Sequence, residues 1–207
     1  MASNPNRFIF TFSFIVNLLF QALLPTSYAH ALSDPSGEVD LPSLEAFAEQ
    51  VSDGQGDELR GVYVPGILAA SIVQQPAGKN DFVSPWQNTV TQFGLASRVG
   101  STGLLAHNDL AGETFIFLEK GQKIHLIAGG GEISTFIVSE ILQYQALESN
   151  SVTSTFVDLE THTLISSSDL FIRIYSRPGQ LIFQTCIQAG NDPSWGRLFV
   201  IAEPVTQ

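Results

Sequence analysis

The feature that most limits what this chain can fold into is the series of short apolar segments that begins near Leu59. Each segment holds a few aliphatic, β-branched or aromatic residues and ends at turn residues such as Pro65-Gly66, Lys120-Gly121 or Pro178-Gly179. Segments of this length, with a turn about every 8 to 12 residues, are typical of strands rather than helices. The pattern predicts a mainly β domain over residues 59–207, arranged as a sandwich or a barrel.

Individual elements follow from the same pattern. Strands are expected at 62–64, 68–73, 103–106, 123–128, 132–146, 155–159, 181–186 and 197–202. A helix is expected from Ser84 to about Ala96, because Ser84 suits an N-cap and Pro85 suits the first helical turn. A second, shorter helical turn is expected after Ser168-Asp169.

The first thirty residues have the features of an export signal. Arg7 precedes an apolar run from Phe8 to Leu24, and Ala29-His30-Ala31 is a small-any-small pattern of the kind that signal peptidase cleaves after. We predict that residues 1–31 are a signal peptide or, if they are retained, a single N-terminal membrane anchor. Either outcome places the rest of the chain outside the cytoplasm.

Residues 32–58 are rich in Ser, Asp, Glu, Gly and Pro. This composition predicts an acidic, flexible spacer in front of the folded domain. One short helix is expected within it, at 41–51, where apolar residues recur at helical spacing. Those residues are Leu44, Phe47, Ala48 and Val51.

The charge balance excludes one class of partner. The chain carries 9 Lys and Arg residues against 20 Asp and Glu residues, a net charge of -11. Removing the predicted signal removes Arg7 and no acidic residue, so the remaining chain is still more acidic. Because such a surface repels phosphate backbones, we expect no nucleic-acid partner.

The chain contains one cysteine, Cys186, so it cannot form an internal disulfide. Cys186 ends the apolar run 181–186 and precedes the polar loop 188–196, which places it at the rim of the predicted sheet. A lone cysteine of this kind is either a small buried hydrophobic residue or a reactive thiol.

Arg197 lies eleven positions after Cys186, at the start of the next predicted strand. Two antiparallel strands joined by a loop of this length bring the two residues close together. A guanidinium group there would favour a thiolate and stabilise an oxyanion. The alternative is a structural ion pair between Arg197 and a surface acid such as Asp192 or Glu203.

Three histidines remain once the signal is removed, and His107 is the strongest candidate for a partner of the thiol. It follows the predicted strand 103–106 and opens a polar loop. His125 lies within an alternating strand and is expected to be structural, whereas His162 lies in a polar turn and is expected at the surface.

These three positions resemble the motifs of the sortase family of cysteine transpeptidases, in order and in spacing. Ala106-His107-Asn108 resembles the histidine motif, the segment Ile182 to Cys186 resembles the strand that ends in the nucleophile, and Arg197 begins the following strand. The resemblance covers about residues 59–203 and is that of a divergent member. It implies a closed β-barrel of about eight strands with one or two short helices.

The resemblance also implies a chemistry. Cys186 would be the nucleophile, His107 the general acid and base, and Arg197 the group that holds the substrate or the oxyanion, with Thr185 and Asn108 in supporting roles. Such an enzyme cleaves a sorting-signal peptide, usually LPXTG-like, and transfers it to an amine. The acceptor would be a cell-wall peptide or a pilin lysine, and the location the outer face of the bacterial cytoplasmic membrane or the exterior.

No cofactor or metal is expected, because the sequence lacks a cluster of metal-ligand residues at a recognisable spacing. A calcium site built from Asp109, Glu113 and Asp158 is a weaker alternative that the resemblance suggests. A catalytically inactive, sortase-like binding module is the main rival to an enzyme. An L,D-transpeptidase is disfavoured, because Thr185 and Gln188 stand where that class normally has Gly and Arg.

Overall fold

The structure, a computed structural model, describes residues 41–206 of the chain. The predicted signal and residues 32–40 of the predicted spacer lie outside this range. Along the described residues, no helix combines the length and the apolar character that crossing a bilayer requires.

Strands dominate the described residues, and the helices are short. The strands are β1 (Leu59–Val64), β2 (Leu68–Gln74), β3 (Thr89–Gln92), β4 (Thr102–Leu105), β5 (Lys123–Ala128), β6 (Ile133–Ala146), β7 (Phe156–Asp158), β8 (Leu164–Ile165), β9 (Leu181–Ala189) and β10 (Asp192–Pro204). The α-helices are α1 (Leu44–Val51), α2 (Gly94–Arg98) and α3 (Ser167–Tyr175), and Ala111–Phe117 forms a 3-10 helix.

Eight of the strands close into a barrel. Their order is β10-β9-β4-β3-β2-β1-β5-β6, and β6 pairs back with β10 to complete the ring. Strands β7 and β8 continue the sheet from the other edge of β6. Two neighbouring pairs, β2 with β3 and β4 with β9, are parallel, and the other pairs are antiparallel. The predicted mainly β fold with a closed eight-stranded barrel is confirmed.

The strands alternate between the barrel interior and an outer face that other elements cover. Interior residues form one buried cluster, whose members on β9 and β10 are Leu181, Phe183, Leu198, Val200 and Ala202. A second cluster on the outer face joins Ile182, Phe199 and Ile201 to α3. The two faces of β9 and β10 are therefore both packed, which fixes their register.

Helix α1 packs against the barrel, ends at Val51 as expected and begins at Leu44, three residues later than expected. The Ser43 side chain accepts a hydrogen bond from the Ala46 N–H and caps the helix. Phe47 lies 6.0 Å from Tyr63, measured between ring centroids, and the Tyr63 hydroxyl donates to the Pro42 carbonyl. The helix predicted within 41–51 is confirmed, and this part of the predicted spacer is attached to the barrel.

The helix predicted from Ser84 to Ala96 is wrong. Residues 89–92 instead form β3, and only Gly94–Arg98 is helical. The Ser84 N–H donates to Thr91 Oγ1 at 2.8 Å, so Ser84 anchors a loop rather than capping a helix. The tertiary structure overrides the local capping pattern, because β3 is needed to link β2 with β4 in the ring.

The 3-10 helix inserts an aromatic side chain into the interior cluster. Phe115 is 1% exposed and makes an edge-to-face contact with Phe183, with the ring centroids 4.9 Å apart. Phe117, two residues later in the same helix, is 61% exposed. Of these two phenylalanines, Phe115 is therefore the one that anchors the 3-10 helix to the interior cluster.

We predict that Phe115→Ala lowers the free energy of unfolding by about 3–5 kcal/mol, because it removes a fully buried ring and leaves a cavity. Phe117→Ala is the matched control, and its effect should stay within about 0.5 kcal/mol. Urea denaturation measures both values. Equal losses for the two variants would contradict this account of the packing.

Candidate active site

Cys186 lies on the outer face of β9, near the end of that strand. Phe183 and Thr185 point into the barrel interior, so the alternation of the strand places Ile182, Gln184 and Cys186 on the opposite face. The Cys186 side chain is half-buried, and the thiol is free. It is therefore accessible to a reagent that approaches the outer face.

Arg197 is the register partner of Cys186 on the neighbouring strand β10. The pairing is antiparallel, so both side chains lie on the same face, with Cβ atoms separated by about 4.5–5.5 Å. The expected proximity of Cys186 and Arg197 is present, but the polar loop expected at 188–196 is not: β9 extends to Ala189, β10 begins at Asp192, and only residues 190–191 separate them.

The guanidinium group of Arg197 is held by backbone carbonyls. Its Nη1 donates to the carbonyls of Ser194 and Gly196, each at 2.8 Å, and its Nη2 donates to the Ser149 carbonyl at 3.4 Å. Within residues 41–206 it forms no ion pair with Asp192 or Glu203, the acids considered as structural partners. The side chain is thus fixed in place without neutralisation of its charge.

His107 follows β4, the other neighbour of β9. The parallel register pairs Leu105 with Gln184, and the Ala106 N–H continues it by donating to the Gln184 carbonyl at 3.2 Å. Extended by two residues, the same register brings the backbone of His107 level with Cys186. Ala106 belongs to the interior cluster, so the alternation assigns His107 to the outer face, where it is exposed.

Asn108 joins the loop of His107 to the start of β10. Its Nδ2 donates to the Pro193 carbonyl at 2.9 Å, across 85 positions of sequence. The loop that follows β4 and the start of β10, which lie on either side of β9, are therefore tied to each other by this side chain. In this structure Asn108 acts as an anchor of the loop that carries His107.

The Thr185 side chain lies on the opposite face from Cys186. It is 2% exposed, and its Oγ1 has no hydrogen-bond partner among the described residues. Gly112 is packed against this hydroxyl, and its N–H donates to the His107 carbonyl at 3.0 Å. A support from Thr185 to chemistry at Cys186 would therefore come from its backbone rather than from its hydroxyl.

Gly112 also determines how closely the 3-10 helix approaches the loop of His107. A Cβ at this position would lie 2.6 Å from the His107 carbonyl oxygen and 2.9 Å from the Ala106 carbonyl oxygen. Both are backbone atoms, so a side chain here is accommodated only if the loop moves. The loop of His107 can therefore take this position because residue 112 has no side chain.

The remaining histidines behave as the sequence indicated. His125 lies in β5, and its Nδ1 is 3.1 Å from Thr135 Oγ1. Burial, together with the nearby Lys123, lowers the pKa of His125. His162 is exposed and adopts a left-handed backbone conformation with φ of 57°. Both fit structural or surface roles.

No metal site is assembled in the part of the chain that the structure describes. Within residues 41–206, no three His, Cys, Asp or Glu side chains lie close enough to hold an ion. Asp158, one of the residues considered for calcium, instead accepts hydrogen bonds from the Glu160 and Thr161 N–H groups and contacts Arg173 at 3.2 Å.

Gln184, which the sequence motifs do not single out, shares the outer face with Cys186 two residues away. The buried Tyr175 hydroxyl of α3 donates to Gln184 Oε1. The period-2 alternation of β9 was the available signal, because it places this polar residue on the same face as the thiol.

A cavity of about 460 Å³ lies further around the barrel, between α1, the start of β2 and the 3-10 helix. Its lining includes Phe47, Ser71 and Glu113 but none of the three predicted site residues. The register links Ser71 to Thr89 of β3 and Thr91 to Leu105 of β4, so Ser71 lies three strands from Cys186, roughly 14 Å away. The cavity is separate from the thiol.

The structure is similar to solved structures of sortases. Listeria monocytogenes sortase A is 14% identical, with a TM-score of 0.44 over 74% of this chain and 89% of that chain. Sortase C from Clostridium perfringens SM101 is 14% identical, with a TM-score of 0.44 over 78% of this chain and 82% of that chain. Sortase C-1 from Actinomyces oris is 17% identical, with a TM-score of 0.45 over 72% and 73%. No protein-family model and no curated protein sequence matches the chain.

We predict that Gly112→Ala displaces the loop of His107 and lowers the free energy of unfolding by about 1–3 kcal/mol, because the added Cβ meets two backbone oxygens. Gly56→Ala is the control, since a Cβ there meets nothing within 4 Å. Urea denaturation gives the energies, and the NMR shifts of the His107 ring report the displacement. An unchanged His107 spectrum in Gly112→Ala would contradict the prediction.

Proposed function

We propose that this protein is an exported cysteine transpeptidase of the sortase type, which cleaves a sorting-signal peptide and transfers its acyl part to an amine. The observation that carries the proposal is the register pairing of Cys186 with Arg197 on one face of the barrel. The end of β4 supplies His107 on the other side of the same strand, and the motifs of the sequence occur in the order that sortases use.

In the first half of the proposed reaction, Cys186 reacts as a thiolate while His107 holds the proton. The sulfur attacks the carbonyl carbon of the scissile peptide bond and forms a tetrahedral oxyanion. As the intermediate collapses, the C–N bond breaks and His107 gives its proton to the departing amine. The product is a thioester between Cys186 and the acyl part of the peptide.

In the second half, an amine attacks the thioester carbonyl. His107 accepts a proton from this nucleophile, the C–S bond breaks and the Cys186 thiolate is restored. A cell-wall peptide or a pilin lysine is the proposed acceptor. Water in place of the amine would give hydrolysis by the same steps.

Arg197 is the proposed electrostatic component of the site. Three of its N–H groups are bonded to backbone carbonyls in the described structure, so two of the five guanidinium donors remain. Since the side chain is already fixed, it can meet a developing oxyanion without reorganisation, which is where electrostatic stabilisation is most effective.

The export part of the proposal rests on residues 1–31, whose basic residue, apolar run and small-residue cleavage pattern are typical of a signal peptide. The proposed location is outside the bacterial cytoplasmic membrane, either secreted or tethered to its outer face. The proposed partners are therefore the sorting-signal peptide of a surface protein and an amine acceptor in the same compartment.

The proposal is tested with the purified full chain and a Leu-Pro-Ala-Thr peptide that ends in a chloromethyl ketone, a group that alkylates thiols. Mass spectrometry should find one adduct, on Cys186, and none in Cys186→Ala. His107→Ala should slow the labelling about 100-fold or more, because it removes the proton acceptor. Arg197→Lys should slow it by a similar factor, because it removes fixed donors.

Arg98→Lys is the matched control, since Arg98 is an exposed arginine at the end of α2, and its rate should equal that of the wild type. Circular dichroism of each variant checks that the fold is retained. Slow labelling that is indifferent to His107 would identify Cys186 as an ordinary thiol and favour the inactive binding module instead.

A further inference from the structure

Gln184 is a half-buried amide beside the thiol, and the proposed reaction gives it no role so far. It precedes Cys186 by two positions on the same face of β9, so the two Cα atoms are separated by about 7 Å along the strand. Its register partners are Leu105 on β4 and Phe199 on β10. Both are apolar, so the amide is the polar group of this part of the outer face.

The orientation of the Gln184 amide is determined by Tyr175. Tyr175 is 3% exposed, and burial raises the pKa of its phenol, so the hydroxyl stays protonated. This hydroxyl donates to Gln184 Oε1. Because the oxygen of the amide is bonded by Tyr175 of α3, which packs on the same outer face, the two N–H groups on Nε2 are directed elsewhere, and the amide offers a donor rather than an acceptor.

The other side of Cys186 along β9 is occupied by contacts of the chain itself. There Asn108 bonds the Pro193 carbonyl, and Arg197 bonds the Ser194 carbonyl. On the Gln184 side, by contrast, the half-buried Gln184 amide is the polar group of the chain next to a peptide acylated on Cys186. Backbone carbonyls of an extended peptide recur about every 3.4 Å, so one lies within reach of the amide.

We propose that Gln184 is a specificity-determining residue that donates an Nε2–H hydrogen bond to a carbonyl on the acyl side of the substrate peptide. This inference deepens the proposed function and rests on it. Gln184 thereby selects a substrate that presents an acceptor about two residues before the carbonyl that Cys186 attacks, and Tyr175 acts as the positioning residue for Gln184.

Gln184→Glu tests the donor alone. The substitution keeps the shape of the side chain, and Tyr175 can still donate to a carboxylate oxygen, but the N–H groups are lost. With the Leu-Pro-Ala-Thr chloromethyl ketone at pH 7.5, the inhibition constant KI should rise about tenfold or more, while the maximal labelling rate changes less. Tyr175→Phe, which retains the ring, should raise KI by a smaller factor.

Gln188→Glu is the matched control for charge. Gln188 lies on the same face of β9, two positions beyond Cys186, is exposed, and donates to the Gly190 carbonyl. The substitution adds the same negative charge at the same spacing from the thiol. Its KI should stay within about twofold of the wild type, so a rise limited to Gln184→Glu reports the hydrogen bond rather than repulsion.

Iodoacetamide, which lacks a peptide, separates failure of this inference from failure of the proposed function. If the wild type and Gln184→Glu share one KI while iodoacetamide labelling still depends on His107, the site is activated and the role of Gln184 is overturned. If iodoacetamide labelling is slow and indifferent to His107, the proposed function fails and this inference fails with it. Equal rises of KI in Gln184→Glu and Gln188→Glu would also overturn it.

Discussion

The pairing of β6 with β10 is the interaction on which the rest of the structure depends. It extends over nine register positions, from Gly196 with Gln145 to Pro204 with Phe136, and converts an open sheet into a ring. Closure gives each of the eight strands two partners and removes the exposed edges that an open sheet would present. It also fixes the register of β10, and a slip by one residue would turn Arg197 from the outer face into the interior.

Strand β9 lies between β4 and β10, and the fixed register of these strands brings together residues that are distant in sequence. Because β4 and β9 are parallel, their C-terminal ends meet at the same end of the barrel, where His107 follows β4 and Cys186 lies in the last part of β9. Because β10 is antiparallel to β9, it begins where β9 ends, so Arg197 arrives at the same level. One parallel and one antiparallel ladder thus place a thiol, an imidazole and a guanidinium group at the same end of three adjacent strands.

The sequence predicts those parts of the arrangement that depend on the local pattern of apolar and polar residues. The long strand at 132–146 and the proximity of Cys186 to Arg197 on adjacent antiparallel strands follow from the pattern of apolar residues, and both are present. The helix expected at 84–96 failed because β3 forms only through its partners, which no local signal records. Gln184 was overlooked for a related reason, since its orientation depends on a hydroxyl that α3 carries to the outer face.

The environment of Arg197 differs from that of the three arginines that form ion pairs, in a way that matters for the proposed reaction. In the described residues Arg60, Arg173 and Arg177 each pair with a carboxylate, as expected in an acidic chain. Arg197 is bonded to neutral carbonyls, so its position is fixed while its charge is not cancelled by a counter-ion. A carboxylate partner would hold the guanidinium equally well but would repel a thiolate and an oxyanion. Restraint by the irregular start of β10 at 194–196 therefore suits the stabilisation of negative charge at Cys186, which the proposed acyl transfer requires.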